Sequence, residues 1–262
     1  MPVNQELLSR LLSQFPEDPP VLKDVQVYSN WIIAETERYA ISTIFRLFST
    51  GSNFDEDTYL GNQIGRPVAE IAWEYSKLKD PIRMALVMAS INASLPLPEG
   101  LFEDNAVNPL SEIGKDAKTC FIGHFQEAEI MREQGCDVTI IELFPRKGDV
   151  HWNDSAPVLK EAEVVFITGL TLINDTFLEV LSRTPNAKYR VLMGPTVPCS
   201  PVLFEFGIDL IGSTLIEDPE LTARYCRAGG MSVKYAYPGA LKKVCLTNNP
   251  TLIKERTVYV AD

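Results

Sequence analysis

From Ala117 onward, five short apolar runs, TCFIG, DVTIIEL, VVFITGL, YRVLMGP and IDLIGSTLI, alternate with helical stretches that include DTFLEVLSR and PELTARYCRAG. Strands that are apolar along their whole length are buried on both faces. The alternation therefore predicts an α/β fold with a doubly wound parallel sheet and helices on each side. Ligands of such sheets bind at the carboxyl ends of the strands, near the point where strand order reverses. That reversal is expected between the first and third strands.

The first run opens the unit FIGHFQEAEIMREQGCDVTIIE, Phe121 to Glu142. A strand from Lys118 to Ile122 runs into Gly123, a helix follows, and a second strand, Asp137 to Leu143, reaches Glu142 19 positions after the glycine. This is the spacing of a dinucleotide-binding unit, in which the acidic residue bonds a ribose. The turn itself reads Gly123, His124, Phe125, Gln126, Glu127, Ala128, so the second and third glycines are absent. A histidine stands where a pyrophosphate would need bare backbone.

Ahead of this region the pattern is α+β. An amphipathic helix is expected over Gln5 to Gln14, then strands in VQVYS, WIIAETE and YAISTIF, broken at Ser29-Asn30 and Arg38 in the manner of hairpins. The loop TGSNFDEDTYLGNQIG leads to the helices PVAEIAWEYSKL, opened by Pro67, and DPIRMALVMASINAS, with Asp80 as N-cap and Pro81 at its first position. Leu95 to Asn108 reads as a linker, giving a small α+β domain over residues 1–100 and a Rossmann-like domain over 101–262.

Composition narrows the partners. Over 262 residues a formal net charge of −11 repels nucleic-acid phosphates, and no basic patch offsets it. No apolar run reaches the roughly 18 residues of a membrane span, and MPVNQELLSRLLSQF lacks the basic flank and cleavage site of a signal peptide. A cytoplasmic location is expected, with a homo-oligomer compatible with such a chain. Five cysteines, without a CxxC pair, indicate neither a disulfide framework nor a zinc knuckle. Cys120 and Cys136 read as small buried hydrophobes.

Side chains at the carboxyl strand ends form the candidate site. His124 reads as a metal ligand, a proton carrier or a donor to an anion, against a half-buried histidine bonded to backbone. Glu142 reads as a ribose acceptor or a loop cap, and Asp149 as a cation ligand or a turn residue. His151 lies in the loop FPRKGDVHWND, as a second imidazole or a surface residue. Thr168, Gly169 and Asn174 follow the third strand, where Asn174 or Asp175 also reads as the N-cap of DTFLEVLSR. Gly194, Pro195 and Thr196 begin a rigid loop holding Cys199 and Ser200, with nothing adjacent to lower the pKa of the thiol. Glu217 and Asp218 follow the fifth strand, and Gly229-Gly230 reads as a helix C-cap or a ligand-facing loop. From the small domain, Gly61 and Gly65 are candidates to face the cleft. Asn92, polar in an apolar helix end, must find a partner if buried.

Taken together, FIGHF, IIELFPRKGD, VFITGLTLINDTF, LMGPTVPCSPVLFEFG and IGSTLIEDPEL, preceded by GNQIG and ASINAS, resemble the bacterial and archaeal family described as “putative heavy-metal chelation”. The resemblance covers nearly the whole chain. It implies a small domain with the fold of the enolase N-terminal domain, joined to a Rossmann-like domain. The site between them is implied to handle a metal ion or a metal-chelating small molecule. By motif it implies ligand-binding positions at Asn92, Gly123, His124, Glu142, Asp149, Thr168, Gly169, Asn174, Gly194, Pro195, Thr196 and Asp218, with His124, Glu142 and Asp149 as metal ligands. The proline that follows GHF in the family is Gln126 here, which changes the turn. Enolase chemistry does not follow from the small domain, because enolases keep their metal carboxylates on a barrel.

Two readings of function stand at this point. One is binding of a divalent transition metal, or of a metal-chelating small molecule, in the interdomain cleft through His124 and nearby carboxylates. The other is an enzyme using a nucleotide-type cofactor such as S-adenosylmethionine or NAD, with Glu142 on the ribose. The missing glycines count against a pyrophosphate, and less against S-adenosylmethionine, which has none.

Overall fold

The computed structural model describes residues 5–45, 59–78 and 80–253, so most of the loop expected before Gly61 lies outside the described residues. The small α+β unit forms from local signals. α1 (Gln5–Leu12) buries Leu7, Leu8 and Leu11 on one face. β1 (Asp24–Val27), β2 (Trp31–Glu35) and β3 (Tyr39–Thr43) make an antiparallel meander. α3 (Pro81–Ser94) packs on this sheet with α2 (Val68–Tyr75) beside it. Its start is as the sequence predicts: the Asp80 carboxylate accepts from the N–H groups of Ile82 and Arg83, which have no partner inside the helix. Every residue from Met84 to Ser94 is buried, so α3 shows no polar face.

Among the described residues the large sheet has eight strands. β5 (Thr119–Ile122), β6 (Val138–Glu142), β7 (Val150–His151), β8 (Val164–Thr168), β9 (Tyr189–Met193) and β10 (Leu210–Ile216) run parallel. β11 (Leu241–Thr247) pairs antiparallel with β10, and β4 (Phe102–Glu103) antiparallel with β11. The order is β4-β11-β10-β9-β8-β5-β6-β7. Numbered along the chain, the parallel strands lie 3-2-1-4-5-6, the order of a doubly wound nucleotide-binding sheet, with the reversal between β5 and β8 as expected.

Alternate side chains of these strands enter opposite cores. Cys120, Ile122, Val165, Ile167, Leu192 and Ile211 face one; Phe121, Val164, Phe166, Val191 and Leu210 face the other, where Phe121 and Phe166 stack at 4.4 Å. This two-sided burial is the physical reason for the continuous apolar runs. α5 (Ala156–Glu161), α6 (Phe177–Arg183) and α7 (Val202–Glu205) contribute to the first core, and α4 (Gln126–Glu133) to the second.

The segment Leu95 to Asn108 is more than a linker, because Phe102 is fully buried within it and β4 is held in the large sheet. A two-residue strand has no period to read, and its partner lies far down the chain. The first core also takes in Leu7, Ile32, Ile71 and Leu86 of the small unit, so apolar packing runs without a break between the two. On the other face of the small sheet, Trp31, Ile33 and Ile41 pack against Tyr225 and Cys226 of α8 (Pro219–Arg227). Among the described residues no helix is long and apolar enough to cross a membrane.

Candidate functional site

β5 ends in Gly123, whose φ of +103° suits glycine and whose position leaves little room for a side chain: a Cβ there would lie 3.1 Å from Cβ of Thr168. The next peptide is held by Glu142. Its Oε1 accepts from the N–H of His124 at 2.8 Å, and its Oε2 from the N–H of Leu143 at 3.2 Å. These charge-assisted bonds make the strand-end carboxylate a clamp on the His124 turn.

The His124 ring lies between two carboxylates. Nδ1 is 3.4 Å from Oδ2 of Asp149, and Nε2 is 3.5 Å from Oε1 of Glu129. Asp149 is nearly buried, its side chain 2% exposed, and its Oδ2 also accepts from the N–H of Arg146 at 3.0 Å. The two carboxylates face opposite ring nitrogens, so no single ion can draw on all three groups. Glu142 addresses the backbone of His124 and not its ring. The set His124, Glu142 and Asp149 therefore does not converge as a three-ligand centre, because two of its carboxylates are engaged in backbone turns. Among the described residues no group of three His, Cys, Asp or Glu side chains is placed to hold a metal ion.

A cleft of about 320 Å³ opens between the small unit and the carboxyl ends of β8, β9 and β10. His124, Thr168, Gly169, Gly194, Pro195 and Thr196 all line it, as the motifs imply. Gly194 turns the chain there with φ +127°. Thr196 is 1% exposed and acts as a fastener: its Oγ1 accepts from the N–H of Thr43 at 3.1 Å and from the Ser42 hydroxyl at 3.3 Å. Asn92 donates to the Thr196 carbonyl at 3.4 Å, while its Oδ1 is buried without a partner among the described residues. Both residues thus join the small unit to the loop after β9.

Other residues of the cleft escaped the strand-end rule. Trp31 donates from Nε1 to the carbonyl of Gly230 at 2.6 Å, drawing the loop after α8 over the cleft. Glu127 accepts from Asn105 at 2.7 Å and lies 3.6 Å from Lys243. Burial alone would raise its pKa, but Asn105, its own backbone N–H and Lys243 outweigh that and hold its carboxyl below the usual range. Lys234 bonds Oε1 of Gln126 at 2.7 Å, so the residue replacing the motif's proline anchors the opposite wall. Reading LKKVCLT as a strand was the signal that could have found Lys243.

A second cavity, of about 190 Å³, lies at the ends of β5, β6 and β8 and includes Gly123, His124, Glu142, Thr168 and Asn174 in its lining. Oδ1 of Asn174 accepts from the N–H and hydroxyl of Thr176 at 3.3 and 2.6 Å, shaping the turn before α6; the N-cap itself is Thr176 rather than Asn174 or Asp175.

The remaining candidates have structural work elsewhere. Asp218 accepts from the N–H of Leu221 at 2.9 Å as N-cap of α8 and lines neither cavity. Glu217 pairs with Lys242. His151 accepts from the N–H of Asn153 at 3.0 Å and also lies outside both cavities. Burial pushes the Cys199 thiol up to about 12, which removes it as a ready soft-metal ligand. Ser200 accepts from the N–H of Val202 at 3.3 Å. Gly61 and Gly65 line neither cavity. Gly229 and Gly230 close α8 through bonds to the carbonyls of Cys226 and Tyr225, the C-cap reading of that pair.

Residues 105–245 match the model of the DUF364 family, described as “putative heavy-metal chelation”. The chain belongs to the DUF364 family. A DUF364 protein of unknown function from Desulfitobacterium hafniense superposes with a TM-score of 0.79 at 23% identity, over 93% of this chain and 98% of that one. One from Pyrococcus horikoshii gives 0.70 at 18% identity, over 92% and 98%. These likenesses establish the shared DUF364 fold. An uncharacterized protein of Methanocaldococcus jannaschii is 44% identical over 87 residues, and the match spans 33% of this chain and 33% of that relative. The DUF364 description supports a general metal-binding role.

Proposed function

We propose that the interdomain cleft binds a metal-chelating small molecule, and that the metal is held chiefly by that molecule's own donors. One observation carries this reading: a cleft of about 320 Å³ presents a single imidazole, with no second and third side-chain ligand converging beside it among the described residues. A bare ion would need that convergence; a chelate brings its own donors. His124 supplies the protein's contact to the metal, and an imidazole suits divalent transition ions. Thr168, Gly169, Gly194 and Pro195 offer a backbone-rich floor at the strand ends, where ligands of this sheet class bind.

The test is native mass spectrometry of gently purified protein beside its denatured mass, with elemental analysis of the same sample. A released species of several hundred daltons accompanied by a transition metal supports the reading. A stoichiometric metal with a mass excess of only tens of daltons replaces it with direct ion binding.

A further inference from the structure

The second cavity, of about 190 Å³, meets the cleft at His124. It opens where the strand order of the large sheet reverses, at the ends of β5, β6 and β8. Its walls are largely flat and apolar: Phe45 comes from the small unit, Phe125 from the turn after β5, and Trp152 from the loop after β7. The Trp152 indole is backed by Arg183, whose guanidinium carbon lies 4.3 Å from the ring centroid.

Two polar groups in this chamber, Glu142 and Asn174, are complementary. Glu142 accepts one N–H on each oxygen and keeps further lone pairs, so it remains an acceptor. Asn174 is a donor, because Thr176 occupies its Oδ1 and its Nδ2 has no partner among the described residues.

We infer that this chamber binds a nucleoside-type ligand, with the sugar diol at Glu142 and the base against the aromatic walls. A strand-end carboxylate at this point of a doubly wound sheet is placed to accept from ribose hydroxyls. A diol offers two O–H donors to the lone pairs that the backbone bonds leave open. The Asn174 amide adds a donor for a carbonyl or ring nitrogen of the base.

A dinucleotide fits poorly. Its pyrophosphate would pass the turn where His124 replaces bare backbone. It would also meet the start of α4, whose first turn carries Glu127 and Glu129 rather than open positive potential. The ligand class is therefore a nucleoside or nucleoside thioether or sulfonium, without phosphate at that turn. The inference is independent of the chelate reading, since it concerns the other side of His124.

The experiment is isothermal titration of the full chain with the four common ribonucleosides, S-adenosylhomocysteine, the matching free bases, the 2′-deoxy forms and the 5′-diphosphates. At least one ribonucleoside or S-adenosylhomocysteine should bind one to one, and the 2′-deoxynucleoside and nucleoside 5′-diphosphate of the same base about tenfold or more weakly. Asn174→Ala should weaken the same ligand by a similar factor, while Asp218→Ala leaves it unchanged. Glu142→Gln is to be read beside its thermal melt, because Glu142 also holds the His124 turn. No binding up to roughly millimolar concentration overturns the inference. Equal binding of free base and nucleoside overturns it in favour of a flat heterocycle without sugar. Binding insensitive to both Asn174→Ala and Glu142→Gln overturns it by placing the ligand elsewhere.

Discussion

Oγ1 of Thr196 accepts the backbone N–H of Thr43 at 3.1 Å, bridging 153 residues of sequence and joining the edge of the small sheet to the loop after β9. Thr196→Val keeps the shape and removes the acceptor, leaving that donor unsatisfied at a closed interface. Unfolding free energy should fall by about 1–3 kcal/mol in urea titrations. Thr196→Ser keeps the oxygen and should lose under about 1 kcal/mol. Equal losses in the two variants would show that the methyl group, not the bond, matters.

His124→Ala should weaken binding of a small nickel chelate with an open coordination position, such as nickel–iminodiacetate, by about tenfold or more, equivalent to about 1.4 kcal/mol. His151→Ala should leave it unchanged, because His151 lies outside both cavities. Calorimetry on the two variants checks this, and a stronger effect at His151 would sink the assignment.

Asp218→Ala should cost about 1 kcal/mol of stability, the usual loss for an N-cap. Asp218→Asn, which can still accept from Leu221, should be close to neutral. Ligand affinity at the cleft should not respond to either change. A loss of affinity with unaltered stability would return Asp218 to the site.

Burial pushes the thiols of Cys120, Cys199 and Cys245 up to about 12. Iodoacetamide at neutral pH should leave them unmodified in the folded protein and label them after unfolding, as mass spectrometry will read. The sign for stability follows from the raised values. Below the ordinary thiol value of about 8.5 the contribution is fully present. Between there and about 12 it is lost, because unfolded thiols ionise while the buried ones stay neutral. Melting temperature should therefore fall through this alkaline window, and replacing the three cysteines by alanine should flatten that fall.

The parts of the fold that sequence made legible are those where both faces of a strand are dry. Val164 and Phe166 enter one core while Val165 and Ile167 enter the other, so the run reads apolar throughout. β4 was illegible because Phe102 owes its place to β11. At the site, strand-end position was legible and direction was not. Glu142 read as a ribose acceptor or a loop cap, and the cap role depends on the bend at Gly123, which brings the His124 N–H within 2.8 Å of it. Asp218 precedes Pro219 and Glu220 in a helix-start pattern, and that cap chemistry outweighed its place after a strand. Trp31 and Lys234 reach the cleft only through tertiary packing, which no local pattern encodes.

The outermost strands of the large sheet, β4 and β7, have two residues each among the described residues. A rim that short exposes few backbone donors and acceptors for another polypeptide to copy. At this rim, association between copies of the chain would thus rest on side-chain surfaces rather than on added strand pairing. The same brevity protects this rim from the edge-to-edge growth that leads to fibres.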